Sequence, residues 1–113
     1  MKVIQTDEEF ANLLTKYDRV LVDFYAEWCG PCKKVAPFVE DLGKVIQKAN
    51  PKHIVVKVDV DNDEMTGTIR ENSITAMPTF LFLSKGEKPV KVLGANIPQI
   101  IQTSEKFFRI KLE

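Results

Sequence analysis

Val22-Asp23-Phe24-Tyr25-Ala26-Glu27-Trp28-Cys29-Gly30-Pro31-Cys32-Lys33 is where a strand pattern runs into a helical one. The run Val20 to Tyr25 (VLVDFY) is β-rich and apolar at both parities, with Asp23 the exception. Apolar residues at both parities predict a central strand buried on both faces. Pro31 suits a first helical turn, where its missing N–H costs nothing. A helical pattern then runs toward Ala49, with Pro37 inside it, until Asn50-Pro51 ends it.

Two cysteines, with only two residues between them, sit at this junction. Residues three apart on a helix face one another, so the sulfurs of Cys29 and Cys32 can bond with little backbone movement. Such a bridge closes a tiny loop and removes little unfolded-state entropy, which makes it a poor stability device. A secreted disulfide framework would use more cysteines, spread along the chain. Structural zinc takes four Cys or His ligands, and the only histidine, His53, begins a strand well away in sequence. Redox chemistry is the preferred reading, against a metal site or a redox-inert pair. It needs a thiolate, because a neutral thiol is a poor nucleophile. A helix N-terminus supplies partial positive charge and free N–H groups. Cys29, at the very start, is expected to feel this most and to be the more exposed; Cys32, one turn in, is expected to be less exposed and less acidic. Cys29 is therefore assigned the attack and Cys32 the resolution. Gly30 has no side chain to block a substrate, and Pro31 restricts the turn.

Working outward, Val3 to Gln5 is predicted as a short first strand. Thr6 and Glu9 form a capping-box pattern ahead of a helix whose Phe10, Leu13 and Leu14 share a face. Ile54 to Val58 (IVVKV) reads as a second buried strand. Asp61 or Asn62 can cap a helix through Arg70, with Asp63 and Glu64 in its acidic first turn. Thr79 to Leu83 (TFLFL) is a third core strand, and Ser84-Lys85-Gly86-Glu87 turns it into Val90 to Leu93 as a hairpin. Gly94 breaks the chain, and Asn96 can cap a last helix with Ile97, Ile100, Ile101, Phe107 and Phe108 on one side. Alternating strands and helices followed by a hairpin predict an α/β fold, a mixed sheet between helices. Asp59, Asp61 and Asp63 have the spacing of a calcium loop, but the sixth position is Glu64 and the twelfth Arg70, so strand end plus helix cap is preferred.

The 113 residues amount to one domain, residues 1–113, with enough chain for one ordinary core. Sixteen Lys plus Arg balance sixteen Asp plus Glu. A formal charge of zero gives no reason to expect a nucleic acid or an anionic membrane as partner. The opening MKVIQTDEEF breaks any signal-peptide pattern with Asp7, Glu8 and Glu9, and no apolar run approaches bilayer-spanning length. The expected location is cytoplasmic, with an organelle form as the alternative.

Val22 to Lys33 closely resembles the active-site segment of the thioredoxin family. Met77-Pro78-Thr79-Phe80 resembles that family's cis-proline loop, and Gly94-Ala95 its glycine turn. The match covers nearly the whole chain in order and spacing. It departs at Tyr25, where many relatives have Trp; at Met77, where others have Ile or Val; and over Lys106 to Glu113. The resemblance implies a thioredoxin fold, with a mixed five-stranded central sheet flanked by about four helices. It implies that Asp23 lies beneath the Cys29–Cys32 disulfide as proton acceptor for Cys32. The alternative is a carboxylate satisfied by structural hydrogen bonds. It also implies that Lys57 approaches and modulates Asp23, against a stem merely packed on the core. A cis bond before Pro78 would bring the Met77 backbone beside the sulfurs, where an extended substrate segment could pair with it. Trp28, Gly30, Pro31, Met77, Pro78, Gly94 and Ala95 would form a weakly polar rim for loose docking. Lys33 and Lys34 read as a solvated helix face, and Phe107 and Phe108 as packing residues.

The expected function is therefore reduction of protein disulfides by dithiol–disulfide exchange, acting as a monomer and binding no cofactor. Electrons would come from NADPH through a separate flavoprotein reductase like those serving thioredoxins, since no nucleotide motif is present here. Two other readings remain. A disulfide isomerase or oxidase domain often carries His between the cysteines, where this chain has Pro31. A thioredoxin-fold binding module or holdase would not require the dithiol and Asp23 together.

Overall fold

The computed structural model describes residues 1–112. The sheet is organised around the strand predicted from VLVDFY, here β2, Arg19–Tyr25, which has a neighbour on each side. β3 (His53–Asp59) runs parallel to it, and β1 (Lys2–Val3) is parallel to β3 at the edge. On its other side β2 pairs antiparallel with β4 (Thr79–Ser84), which pairs antiparallel with β5 (Val90–Leu93). The order is β1-β3-β2-β4-β5, the mixed five-stranded sheet expected.

Strand side chains alternate between faces. Val20, Val22 and Phe24 join Val56, Val58 and Leu81 in one buried cluster, covered by Leu13 and Met65. Leu21, Val55, Phe80 and Phe82 form the other, against Val35, Val39, Leu42 and Ile46 of the long helix α3 (Gly30–Ala49) and Ile100 and Phe108 of α5 (Ile97–Phe108). Asp23 has the parity of Leu21, so it faces α3.

The caps follow their sequence signals. Thr6 accepts the Glu9 N–H at 3.1 Å, while the Glu9 carboxylate accepts the Gln5 N–H at 2.8 Å. The helix they open does not run as one piece. It divides into α1 (Asp7–Ala11) and α2 (Leu13–Lys16) at Asn12. There the Asn12 N–H is shared between the Glu8 and Glu9 carbonyls, and the Asn12 carbonyl accepts both the N–H and the hydroxyl of Thr15. These tight three-residue bonds interrupt the helical ladder. Asn62 caps a short 3-10 turn, Asp63–Met65, that leads into α4 (Thr66–Glu71). Asp7 reaches across from α1 and accepts from Gly67 N–H, Thr68 N–H and the Thr68 hydroxyl, the last two at 2.8 and 2.6 Å. A Cβ at position 67 would stand 2.8 Å from an Asp7 oxygen, so this tie needs glycine there. Asn96 caps α5 by accepting the Gln99 N–H.

The C-terminal end of α5 closes the end of the sheet away from the cysteines. Phe108 is 3% exposed; its ring is 6.3 Å from Phe82 and 5.3 Å from His53, and Phe107 meets Phe82 edge-on at 5.4 Å. Arg19 lies over Phe107 and pairs with Glu87 at 2.8 Å. Phe107 and Phe108 are thus packing residues, as read from the sequence. Phe108→Ala is expected to lower unfolding free energy by about 3–5 kcal/mol, the usual cost of emptying a buried aromatic site. Urea melts measure this, and a loss below about 1 kcal/mol would mean that α5 is not integrated into the core.

Candidate active site

The two parallel strands β2 and β3 end at the same edge of the sheet, so the loops that follow them meet. The first loop carries Trp28 and Cys29 into α3. Cys29 is the N-cap residue of that helix, and its Sγ accepts the Cys32 N–H at 3.2 Å. Cys29 and Cys32 form a disulfide with Cα atoms 5.3 Å apart. The expected difference in exposure is absent: each cysteine is 5% exposed. What separates them is their surroundings. Cys29 sits on the free N–H groups of the helix start, whereas Cys32 lines a cleft of ≈ 160 Å³ that also contains Asp23, Lys57 and Tyr25.

Asp23 is buried, and its Oδ1 has no hydrogen-bond partner among the described residues. Loss of hydration pushes its carboxyl up to about 7, with the positive charge of Lys57 pulling in the opposite direction. The reading of a carboxylate satisfied by structural hydrogen bonds does not match that orphan oxygen. Lys57 is directly opposite Asp23 in the β2–β3 ladder, on the α3 side. Its ammonium rests 4.3 Å from the centroid of the Tyr25 ring.

The rim residues come together around the disulfide. The Met77–Pro78 bond is cis, and Met77 packs with Val60 and Tyr25 against the cluster of Ala26, Cys29 and Cys32. Gly94 takes φ +85°, a conformation that favours glycine, and its N–H donates to the Pro78 carbonyl at 2.8 Å. Ala95 faces Gly30 and Pro31 across an open groove of ≈ 440 Å³. Trp28 is 67% exposed, and its Nε1–H donates to Asp61 at 2.8 Å.

Sequence reasoning missed Asp61 as the partner of Trp28, Val60 against the sulfurs, and Lys34, Val35 and Ile97 in the groove. The first two had a signal: they follow the parallel neighbour of β2 and emerge at the same edge. Asp59 and Asp63 serve the local chain, Asp59 accepting the Asp61 N–H and Asp63 standing in the capped turn.

Residues 1–106 match the family model described as Thioredoxin. The chain is 38% identical over 107 residues to thioredoxin 1 of Plasmodium falciparum, spanning 95% of this chain and 97% of that protein. It is 39% identical over 98 residues to thioredoxin-1 of Saccharomyces cerevisiae, spanning 87% and 89% respectively. The X-ray structure of Fasciola hepatica thioredoxin superposes with a TM-score of 0.82 at 38% identity, covering 95% of this chain and 99% of that one. Sequence, fold and a bonded cysteine pair at the head of a helix agree, and the chain belongs to the thioredoxin family as a thiol–disulfide oxidoreductase that reduces protein disulfides.

Proposed function

We propose that Cys29 is the attacking sulfur, Cys32 the resolving sulfur and Asp23 the proton acceptor, in a monomer working in the cytoplasm. The observation that carries the assignment is the Cys32 N–H pointing at Cys29 Sγ on the N-cap of α3. A thiolate is a stronger acceptor than a disulfide sulfur, so the same N–H and the helix dipole favour ionised Cys29. That thiolate attacks one sulfur of a substrate disulfide, forming a mixed disulfide and expelling the other substrate sulfur as a thiolate. Cys32 then gives its proton to the Asp23 carboxylate and attacks Cys29 Sγ. The Cys29–Cys32 bond forms, and the second substrate sulfur leaves with its electron pair. Two electrons pass to substrate in each cycle.

Asp23 suits its part because a carboxyl titrating at about 7 is partly ionised at neutral pH and partly able to hold a proton. Trp28, Gly30, Pro31, Met77, Pro78, Gly94 and Ala95 form the docking rim. Return to the dithiol needs an external reductant, which we assign to an NADPH-dependent flavoprotein reductase on the strength of the family. The cytoplasmic assignment rests on the pair being the only two cysteines, a usage suited to a reducing compartment. A monomer keeps the rim open.

Cys32→Ser is expected to accumulate mixed disulfides with substrate proteins, seen on non-reducing gels, and Cys29→Ser to form none. Equal trapping by both variants would reverse or dissolve the assignment. Replacing both cysteines by Ser is expected to abolish turnover of NADPH in a coupled assay; full partner function in that variant would favour a binding module instead.

The raised Asp23 pKa also has a stability consequence. Between the ordinary carboxyl pKa of 3.8 and about 7, the unfolded chain has lost this proton while the folded chain retains it. Stability therefore falls as pH rises through that window, by about 4 kcal/mol at most, and levels off above it. Asp23→Asn is expected to be more stable than the parent at pH 8, to match it near pH 3.5, and to turn over more slowly. Urea melts across that range test the sign: a variant less stable at pH 8 rules out a buried acid with a raised pKa.

A further inference from the structure

Lys57 lies at the crossing of two possible contacts. Asp23 and Tyr25 are two residues apart on β2, so their side chains share the face toward α3, and Lys57 is opposite Asp23 on β3. A lysine stem is long enough for its ammonium to meet either neighbour. In the structure it sits over the Tyr25 ring, and among the described residues it makes no ion pair with Asp23. A neutral carboxyl offers an ammonium little, while a ring face offers electrostatic attraction in either state.

We propose that Tyr25 is a positioning residue whose ring competes with the Asp23 carboxylate for the Lys57 ammonium. While Asp23 holds its proton, the ammonium rests on the ring. When Asp23 ionises, the ammonium moves to the carboxylate. The ring contact belongs mainly to the protonated state and so keeps the carboxyl protonated to higher pH; removing the ring favours ionisation. The other charged groups facing this cleft are Glu27 beyond β2, Lys33 on α3 and Asp59 at the end of β3, with Glu40 of α3 within the field of Lys57. Glu40 is already paired with the N-terminal ammonium at 3.0 Å and Asp59 already accepts the Asp61 N–H, while Asp23 is the carboxyl directly opposite Lys57 in the ladder, so the competition is drawn between Asp23 and the ring. The attraction comes from the ring face, so an aromatic side chain, rather than a hydroxyl, is the property the proposal requires.

The proposal rests on Asp23 being the proton acceptor only for its catalytic meaning. Its test reads the carboxyl itself, and is therefore separate from the turnover of Asp23→Asn. Carbon-13 NMR of the Asp23 carboxyl is followed against pH in the oxidised protein. Tyr25→Leu is expected to lower the midpoint by about 0.5 to 1, the size of a half-exposed cation–π contact. Tyr25→Phe is expected to leave it in place. In a Lys57→Met background, Tyr25→Leu is expected to have no effect. An unchanged or raised midpoint in Tyr25→Leu, a Phe variant as altered as the Leu variant, or an effect that persists without Lys57 overturns the proposal. Should Tyr25→Leu not fold, the parent protein provides the second test. The Lys57 ε-methylene protons are expected upfield, under the ring current, below the Asp23 midpoint and to relax above it; the same shift on both sides rules out the competition.

Discussion

A carboxylate taken out of water without a hydrogen-bond partner is costly, and the central strand of this protein carries one. Every other inward position of β2 from Val20 to Phe24 is apolar, and those side chains tie the two faces of the sheet to their helices. Asp23 interrupts them beneath the start of α3, where the cleft reaches Cys32. The flanking structure has to be secure enough to tolerate it. Hydrophobic packing at the far end of the sheet, around Phe82, Phe107 and Phe108, contributes to that security without touching the chemistry.

The same carboxyl supports the division of labour proposed for the dithiol. Exposure does not distinguish the cysteines, since both are equally covered. Their difference is electrostatic. Cys29 faces the N–H groups and positive end of a helix, a setting for holding negative charge. Cys32 shares a cleft with a group that can accept a proton. Lys57, on the neighbouring strand, links the acid to the ring of Tyr25.

Much of this was legible in the sequence because it is local. The apolar run around Asp23, the caps at Thr6, Asn62 and Asn96, and the proline in the first turn of α3 each report on a few adjacent residues. The resemblance of Val22 to Lys33 and of the Met77-Pro78 and Gly94-Ala95 stretches supplied the rest of the site. What escaped was set by tertiary placement. The break at Asn12 depends on competing hydrogen bonds within one turn. The Asp7 bonds to Gly67 and Thr68 span sixty residues, and the Trp28–Asp61 bond requires two loops to emerge at one edge. The position of the Lys57 ammonium depends on a ring two residues from its expected partner. None of these has a periodicity to read.

The hydrogen bond from Gly94 to the Pro78 carbonyl also uses one of the few backbone groups with which a docking peptide could pair. Proline has no N–H to offer, and its carbonyl already accepts that bond; the neighbouring Met77 amide and carbonyl have no backbone hydrogen bond among the described residues. On the docking proposed above, a peptide laid alongside gains about one residue's worth of ladder there, so selectivity falls to side-chain contacts with the rim. On the proposed mechanism the mixed disulfide is then the strongest tie between the two chains, and a visitor held otherwise by loose rim contacts is free to go once that bond is cut.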